Sequence, residues 1–86
     1  MLTQVQATTW GKDGIRVNCI APGLIRTDFA RALWEDDATR KASEREAALG
    51  RIGEPDEMAG AVVYLASPAA SFVTGQTLVL DGGRLL

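Results

Sequence analysis

Eighty-six residues limit the chain to one domain, and its make-up is ordinary for a water-facing protein: 47% hydrophobic, 23% charged, nine basic against eleven acidic residues, net charge −2. The basic residues form no stripe, which argues against nucleic acid as a partner, and no apolar run approaches the ~20 residues that span a membrane. There is no histidine, which removes Ser-His and Cys-His nucleophilic catalysis and histidine-ligated metal from consideration within the chain.

The single Cys19 has no internal disulfide partner. That fits a reducing compartment, and the cytoplasm is the expectation. The start, MLTQVQATTW, lacks the basic opening and long apolar core of a signal peptide. A chain this short buries only roughly 60–65% of its unfolded surface, so stability alone is expected to be marginal.

In chain order, Met1 to Trp10 reads as a helix, with Leu2, Val5 and Thr9 near one face and Gly11 placed as its C-terminal cap. Lys12-Asp13-Gly14 reads as a turn. Ile15 to Ile20 is the first expected strand, since Ile15, Val17, Cys19 and Ile20 are apolar and three of them β-branched. Asn18 within it reads as a hydrogen-bonded structural amide. The strand is expected to stop at Ala21-Pro22-Gly23, because proline cannot donate to a ladder and glycine lets the backbone turn or approach a ligand. Thr27 and Asp28 come next, either able to cap a helix. A strand running into a Pro-Gly loop and a helix start is how an open α/β sheet presents backbone and a hydroxyl at its carboxyl edge.

Thr27 to about Trp34 reads as a short helix carrying Phe29, Leu33 and Trp34. Asp37 suits the cap of a second helix, Ala38 to Leu49, closed by Gly50. This second helix is polar, with Arg40 and Glu44 spaced to pair. Asp36, Asp37, Glu44 and Glu46 alternate with arginines as on a solvated face, so no metal site is assigned. A weakly amphipathic pair of helices makes a poor core and a plausible cover.

Arg51 to Pro55 reads as a turn into a third long helix, with Pro55 at the first helical position and Asp56 and Glu57 at the positive end of the dipole. Met58, Val62 and Leu65 fall at i, i+4 and i+7, and alanines and Val63 widen the apolar face almost all round. Such a helix needs cover on more than one side. Ser67-Pro68 ends it. Gln76 to Leu80 is the second strand, closed by Asp81-Gly82-Gly83. Two parallel strands joined by helices make one crossover unit, which leaves sheet edges open and asks for more sheet than the chain contains.

RVNCIAPGLIRTDF, together with the later stretch GRIGEPDEMAGAVVYLASPAASFVTGQTLVLDGG, resembles the last third of a classical short-chain dehydrogenase/reductase. The likeness runs nearly unbroken from about Leu2 to Gly83, and the stretch PGLIRTDFARALW is similar to a carbonyl-reductase branch. The resemblance implies an α/β fold: the C-terminal strands and helices of a doubly wound parallel Rossmann-type sheet, incomplete on its own. It makes residues 1–86 the C-terminal portion of one NAD(P)-binding domain, with residues 28–50 as a substrate lid. It implies hydride transfer between NAD or NADP and a small alcohol or carbonyl. Pro22 and Gly23 would shape the loop under the nicotinamide, the Ile25 backbone would meet the carboxamide, and the Thr27 hydroxyl would bond the carboxamide or pyrophosphate. Phe29, Leu33 and Trp34 would be lid residues facing substrate, or would simply pack the lid onto the body. The helix over 55–67 and the strand over 76–80 would form a homo-oligomer interface.

The family's catalytic serine and Tyr-x-x-x-Lys pair are not in the sequence. The one tyrosine, Tyr64, has Pro68 where a lysine would be needed to lower the phenol pKa, so no catalytic residue is assigned. Nor is there a glycine-rich phosphate turn. By the resemblance the sequence would begin a few residues after the catalytic lysine, with Met1 an internal residue. Two readings stand: a piece of an oxidoreductase, inactive alone, or a truncated non-catalytic paralogue that docks onto full-length subunits. A free-standing binding protein is the third, opposed by its unprotected sheet edges.

Overall fold

The computed structural model describes residues 1–84, so the last two residues of the expected 1–86 unit lie outside the described residues. Helix α1 (Leu2–Trp10) leads through a 3-10 turn (Gly11–Asp13) to strand β1 (Cys19–Pro22). A short helix α2 (Arg31–Trp34), a longer α3 (Asp37–Glu46) and α4 (Pro55–Ala66) come after it. A second 3-10 turn (Pro68–Ala70) then enters strand β2 (Thr77–Leu80). The two strands pair in parallel, in the register Cys19 with Thr77 through Pro22 with Leu80. The α/β class and the parallel crossover are thus as the pattern predicts.

Several boundaries differ, each for a local reason. Gly11 does not take the left-handed cap conformation: its φ is −60° and the chain winds on into the 3-10 turn. The left-handed residue is Gly14, at φ +77°, whose amide donates to the Gly11 carbonyl.

The first strand begins at Cys19 rather than Ile15 and runs through Pro22 rather than stopping before it. Residues 15–18 are taken up elsewhere. The Val17 amide donates to the Thr74 hydroxyl at 3.1 Å, and its carbonyl accepts from Gly75 at 2.8 Å. Asn18 donates from Nδ2 to the Val73 carbonyl and accepts the Gln76 amide on Oδ1, so its amide is a structural clasp on the entry to β2. Pro22 is tolerated because of parity. Cys19 and Gly23 donate to Gln76 and Leu80, so the nitrogen of Pro22 sits on the edge away from β2, where no ladder bond is lost.

The helices of residues 28–50 also start and stop differently. Helix α2 begins at Arg31, not Thr27, because the Ala30 amide is held by both the carbonyl and the hydroxyl of Thr27, each at 3.2 Å. The cap of α3 is Asp36, not Asp37: its carboxylate accepts the Thr39 amide at 3.0 Å. Helix α3 ends at Glu46 rather than Leu49, since the Ala48 and Leu49 amides are drawn out to the Gly83 and Gly82 carbonyls. Gly50, at φ +72°, still makes the turn. The Arg40–Glu44 pair forms loosely at 3.8 Å, and Asp37 is the closer partner at 3.0 Å.

Helix α4 starts at Pro55 as expected. Glu57 reaches back from the third position to accept the Glu54 amide at 2.9 Å. The interior is thin: Ala7, Ile25, Ile52 and Ala70 are buried, and among the described residues no large side chain is fully enclosed. Val62, Val63 and Tyr64 on α4, and Leu78 and Val79 on β2, stay exposed. These are faces that a parallel sheet ordinarily covers.

Candidate functional site

The carboxyl end of β1 turns at Gly23, and three main-chain bonds fix the course of the next residues. The Gly23 amide donates to the Leu80 carbonyl at 3.0 Å, extending the ladder one step past the strand. The Gly53 amide then donates to the Leu24 carbonyl at 3.0 Å, and the Gly53 carbonyl accepts from Arg26 at 2.9 Å. These two bonds make a parallel bridge between Ile25 and Gly53. The bridge uses the groups of Leu24 and Arg26, so the amide and carbonyl of Ile25 itself face the opposite side. The Ile25 side chain, 7% exposed, is driven inward.

Close approach is built into both glycines. A Cβ on Gly23 would lie 3.0 Å from both the Cα and the Cβ of Asp81, and one on Gly53 would lie 2.6 Å from the end of the Ile25 side chain. A cleft of about 270 Å³ borders this loop, walled by Leu24, Ile25, Arg51, Met58 and Leu80.

Thr27 is half-buried and tightly specified. Its amide donates to the Ile25 carbonyl at 2.8 Å, and its hydroxyl oxygen accepts the Ala30 amide. The hydroxyl hydrogen is left to donate outward. Its carbonyl accepts the Trp34 indole N–H at 2.7 Å. Arg26 and Arg31 each lie 5.1 Å from the centre of the Trp34 ring. Arg26 also pairs with Glu54 at 3.2 Å, tying the loop to the start of α4.

Pro22, Gly23, Ile25 and Thr27 are therefore gathered in one turn at the sheet's carboxyl edge. Of the three residues expected on a lid, Phe29 is fully exposed, Leu33 is about half exposed and Trp34 is half-buried against Thr27. The sequence pattern does not single out Arg26 or Gly53 for their supporting roles. It does carry a signal for the Trp34 contact: Thr27 and Trp34 stand at i and i+7, one face of a helical path.

A second ion pair stands beside the loop. Arg51 grips Glu57 with two bonds of 2.8 and 2.9 Å. Chiefly through this pairing, and through the Glu54 amide, the Glu57 carboxyl is lowered to about 2, and the Arg51 guanidinium is raised.

The family model described as enoyl-(acyl carrier protein) reductase matches residues 1–84. Dehydrogenase/reductase SDR family member 4 of Bos taurus is 48% identical over 98% of this chain and 30% of its own length. The chain belongs to the short-chain dehydrogenase/reductase family. Among solved members, a gluconate 5-dehydrogenase from Burkholderia cenocepacia in complex with NADP and tartrate superposes with TM-score 0.89 at 43% identity, over 95% of this chain and 32% of that one. A 4-hydroxyisoleucine dehydrogenase complexed with NADH gives TM-score 0.89 at 36% identity, over 95% and 34%. The chain thus carries part of a Rossmann-type fold and spans about a third of the length of the family members it matches. Of these two solved dehydrogenases, the first carries NADP and the second NADH.

Proposed function

We propose that this chain is the C-terminal, nicotinamide-side portion of an NAD(P)-dependent short-chain oxidoreductase that interconverts a small alcohol and a carbonyl, within a carbonyl-reductase-like branch. The observation that carries the reading is the turn from Pro22 to Thr27. Its bridge to Gly53 occupies the main-chain groups on one side and leaves the amide of Ile25 and the hydroxyl hydrogen of Thr27 for a ligand on the other. A nicotinamide carboxamide offers an oxygen with two lone pairs that can accept from such donors. Fixing it selects which face of the ring presents hydride, and Pro22 and Gly23 set how near the backbone comes. NAD or NADP would supply the hydride chemistry. This chain would hold and orient the carboxamide.

In this reading residues 28–50 cover the substrate, with Phe29 and Leu33 turned to it and Trp34 half-buried against Thr27. The general acid, the catalytic serine and the phosphate turn come from chain that the 86 residues do not contain, so the piece contributes binding elements and not turnover. Helix α4 and β2, with Val62, Val63 and Val79 exposed, fit a homo-oligomer interface, and the cytoplasm fits the lone Cys19. The same exposed faces favour one alternative, a truncated, non-catalytic paralogue that docks onto full-length subunits.

Thr27→Ala in the polypeptide as its gene encodes it tests the site. Loss of one hydrogen bond should weaken NADH or NADPH binding by about 1 kcal/mol, roughly fivefold. An unchanged affinity for both cofactors removes the assignment. The native mass, with peptide mapping across Met1, separates the two readings: peptides upstream of Met1 support the oxidoreductase piece, and a stable 86-residue product supports the docking paralogue.

A further inference from the structure

We infer that Trp34 is a positioning residue for the Thr27 hydroxyl, acting through the Thr27 main chain. The inference rests on the nicotinamide reading of the loop and adds a residue that never touches the cofactor in it.

Three observations carry it. The indole N–H donates to the Thr27 carbonyl at 2.7 Å, the shortest of the bonds that reach Thr27. Among the described residues, Thr27 is otherwise held only by nearby members of its own turn, Ile25 before it and Ala30 after it. Trp34 is therefore the one contact among them that comes from outside the turn. Finally, the ring itself is held by two arginines. Arg26 and Arg31 lie over it, Arg26 is anchored on Glu54, and Arg31 is anchored on Asp28 and Glu35. The Trp34 carbonyl in turn accepts from Arg40 on α3 at 3.1 Å.

The physical consequence is a linkage between the cover and the loop. A hydroxyl that donates to a ligand is useful only where its direction is fixed, because ordering it at binding costs affinity. Rotation of the Thr27 peptide would swing its Cα–Cβ bond and the hydroxyl with it. The indole bond holds that peptide from a helix that belongs to the cover. Displacement of α2 releases the carbonyl and frees the hydroxyl, so cofactor grip depends on the position of the cover.

The test is a double-mutant cycle read by NADH and NADPH binding to the polypeptide as its gene encodes it. Trp34→Phe keeps an aromatic ring beside the two arginines and deletes the N–H. It should weaken binding about three- to fivefold. Thr27→Ala should do the same, and the double variant should be no weaker than Thr27→Ala alone, since both act through one hydroxyl. A merely structural Trp34 gives multiplicative losses, which overturns the inference. Unchanged binding in Trp34→Phe with weakened binding in Thr27→Ala also overturns it while leaving the nicotinamide reading intact. Unchanged binding in Thr27→Ala overturns both. Should Trp34→Phe not fold, the unmodified protein decides. The Trp34 indole proton, followed by NMR with Trp10 as the internal reference, should exchange at least threefold more slowly with cofactor bound, and equal exchange overturns the inference.

Discussion

Arg16 and Leu65 are 49 residues apart in the chain, and the Arg16 guanidinium donates to the Leu65 carbonyl at 2.8 Å. The same side chain reaches the Val73 carbonyl at 3.3 Å and the Ser67 carbonyl at 3.4 Å. Leu65 lies in the last turn of α4, where carbonyls have no helical partner and the dipole is negative. One planar cation thus closes the end of α4 and ties it to both the approach to β1 and the approach to β2. Arg16→Met keeps most of the stem and deletes the donors, leaving the Leu65 carbonyl unpaired while the Val73 and Ser67 carbonyls keep the bonds from Asn18 and Ala70. Unfolding in urea should show a loss of about 1.5–3 kcal/mol. Arg16→Lys should recover only part of it, because an ammonium is a point donor and cannot span three carbonyls.

Glu57 gives the chain a predictable response to acid. Its carboxyl is lowered from 4.5 to about 2, first by the side-chain bonds from Arg51 and then by the Glu54 amide. A carboxyl whose folded pKa is depressed favours the folded state fully above its unfolded pKa, and that contribution fades as pH falls toward the folded value. Asp36, lowered by Thr39, acts in the same direction. The urea midpoint should therefore fall between about pH 5 and pH 2. Glu57→Gln should be less stable than the parent at pH 7 and converge with it near pH 2. A constant gap between the two across that range would place the effect in packing and not in charge.

Local forces are legible in the sequence, and forces set by a distant partner are not. The class, the parallel pairing and the start of α4 rest on apolar spacing and on Pro55, and all three can be read directly. Asn18 is legible as a bonded amide, though its partners on the far loop are not. Pro22 reads as a strand stop and is a strand residue, because a proline's cost depends on which edge its nitrogen faces, and that is fixed by the partner strand. Gly11 and Gly14 are equally permissive, and only the 3-10 turn between them decides which becomes left-handed. The site's turn is legible through family resemblance. Its fastening is not: Gly53 and Arg26 meet across the bridge through main-chain atoms, which carry no residue signature.

Gly23 is held close to Asp81. Replacement by alanine would bring a Cβ to 3.0 Å from the Asp81 Cα and Cβ, a contact with main chain that no rotamer change relieves. The Gly23 amide is bonded to Leu80 at the same place, so the turn cannot retreat without breaking the ladder. Gly23→Ala should cost about 1–3 kcal/mol as overpacking. It should also weaken nicotinamide cofactor binding if the loop serves as proposed. Circular dichroism melts and cofactor titration on the same samples check both halves, and a variant as stable as its parent would show that the strand ends can part freely.

Phe29 separates a covering role from a packing role. It is fully exposed, and it sits at the turn between Thr27 and α2, where nothing in the fold requires an aromatic ring. An exposed apolar residue that packs on nothing contributes little to stability, so Phe29→Ala should leave the unfolding free energy within about 0.5 kcal/mol. If the ring closes over a substrate, the same change removes apolar contact made only in the complex. KM for an alcohol or carbonyl substrate should then rise about tenfold, the loss of roughly 1.4 kcal/mol of binding, with NADH and NADPH affinity unchanged. The measurement is steady-state kinetics on the polypeptide as its gene encodes it, beside a melt of the same variant. A lowered melting point with unaltered KM would assign Phe29 to packing against another part of the molecule and would withdraw it from the cover.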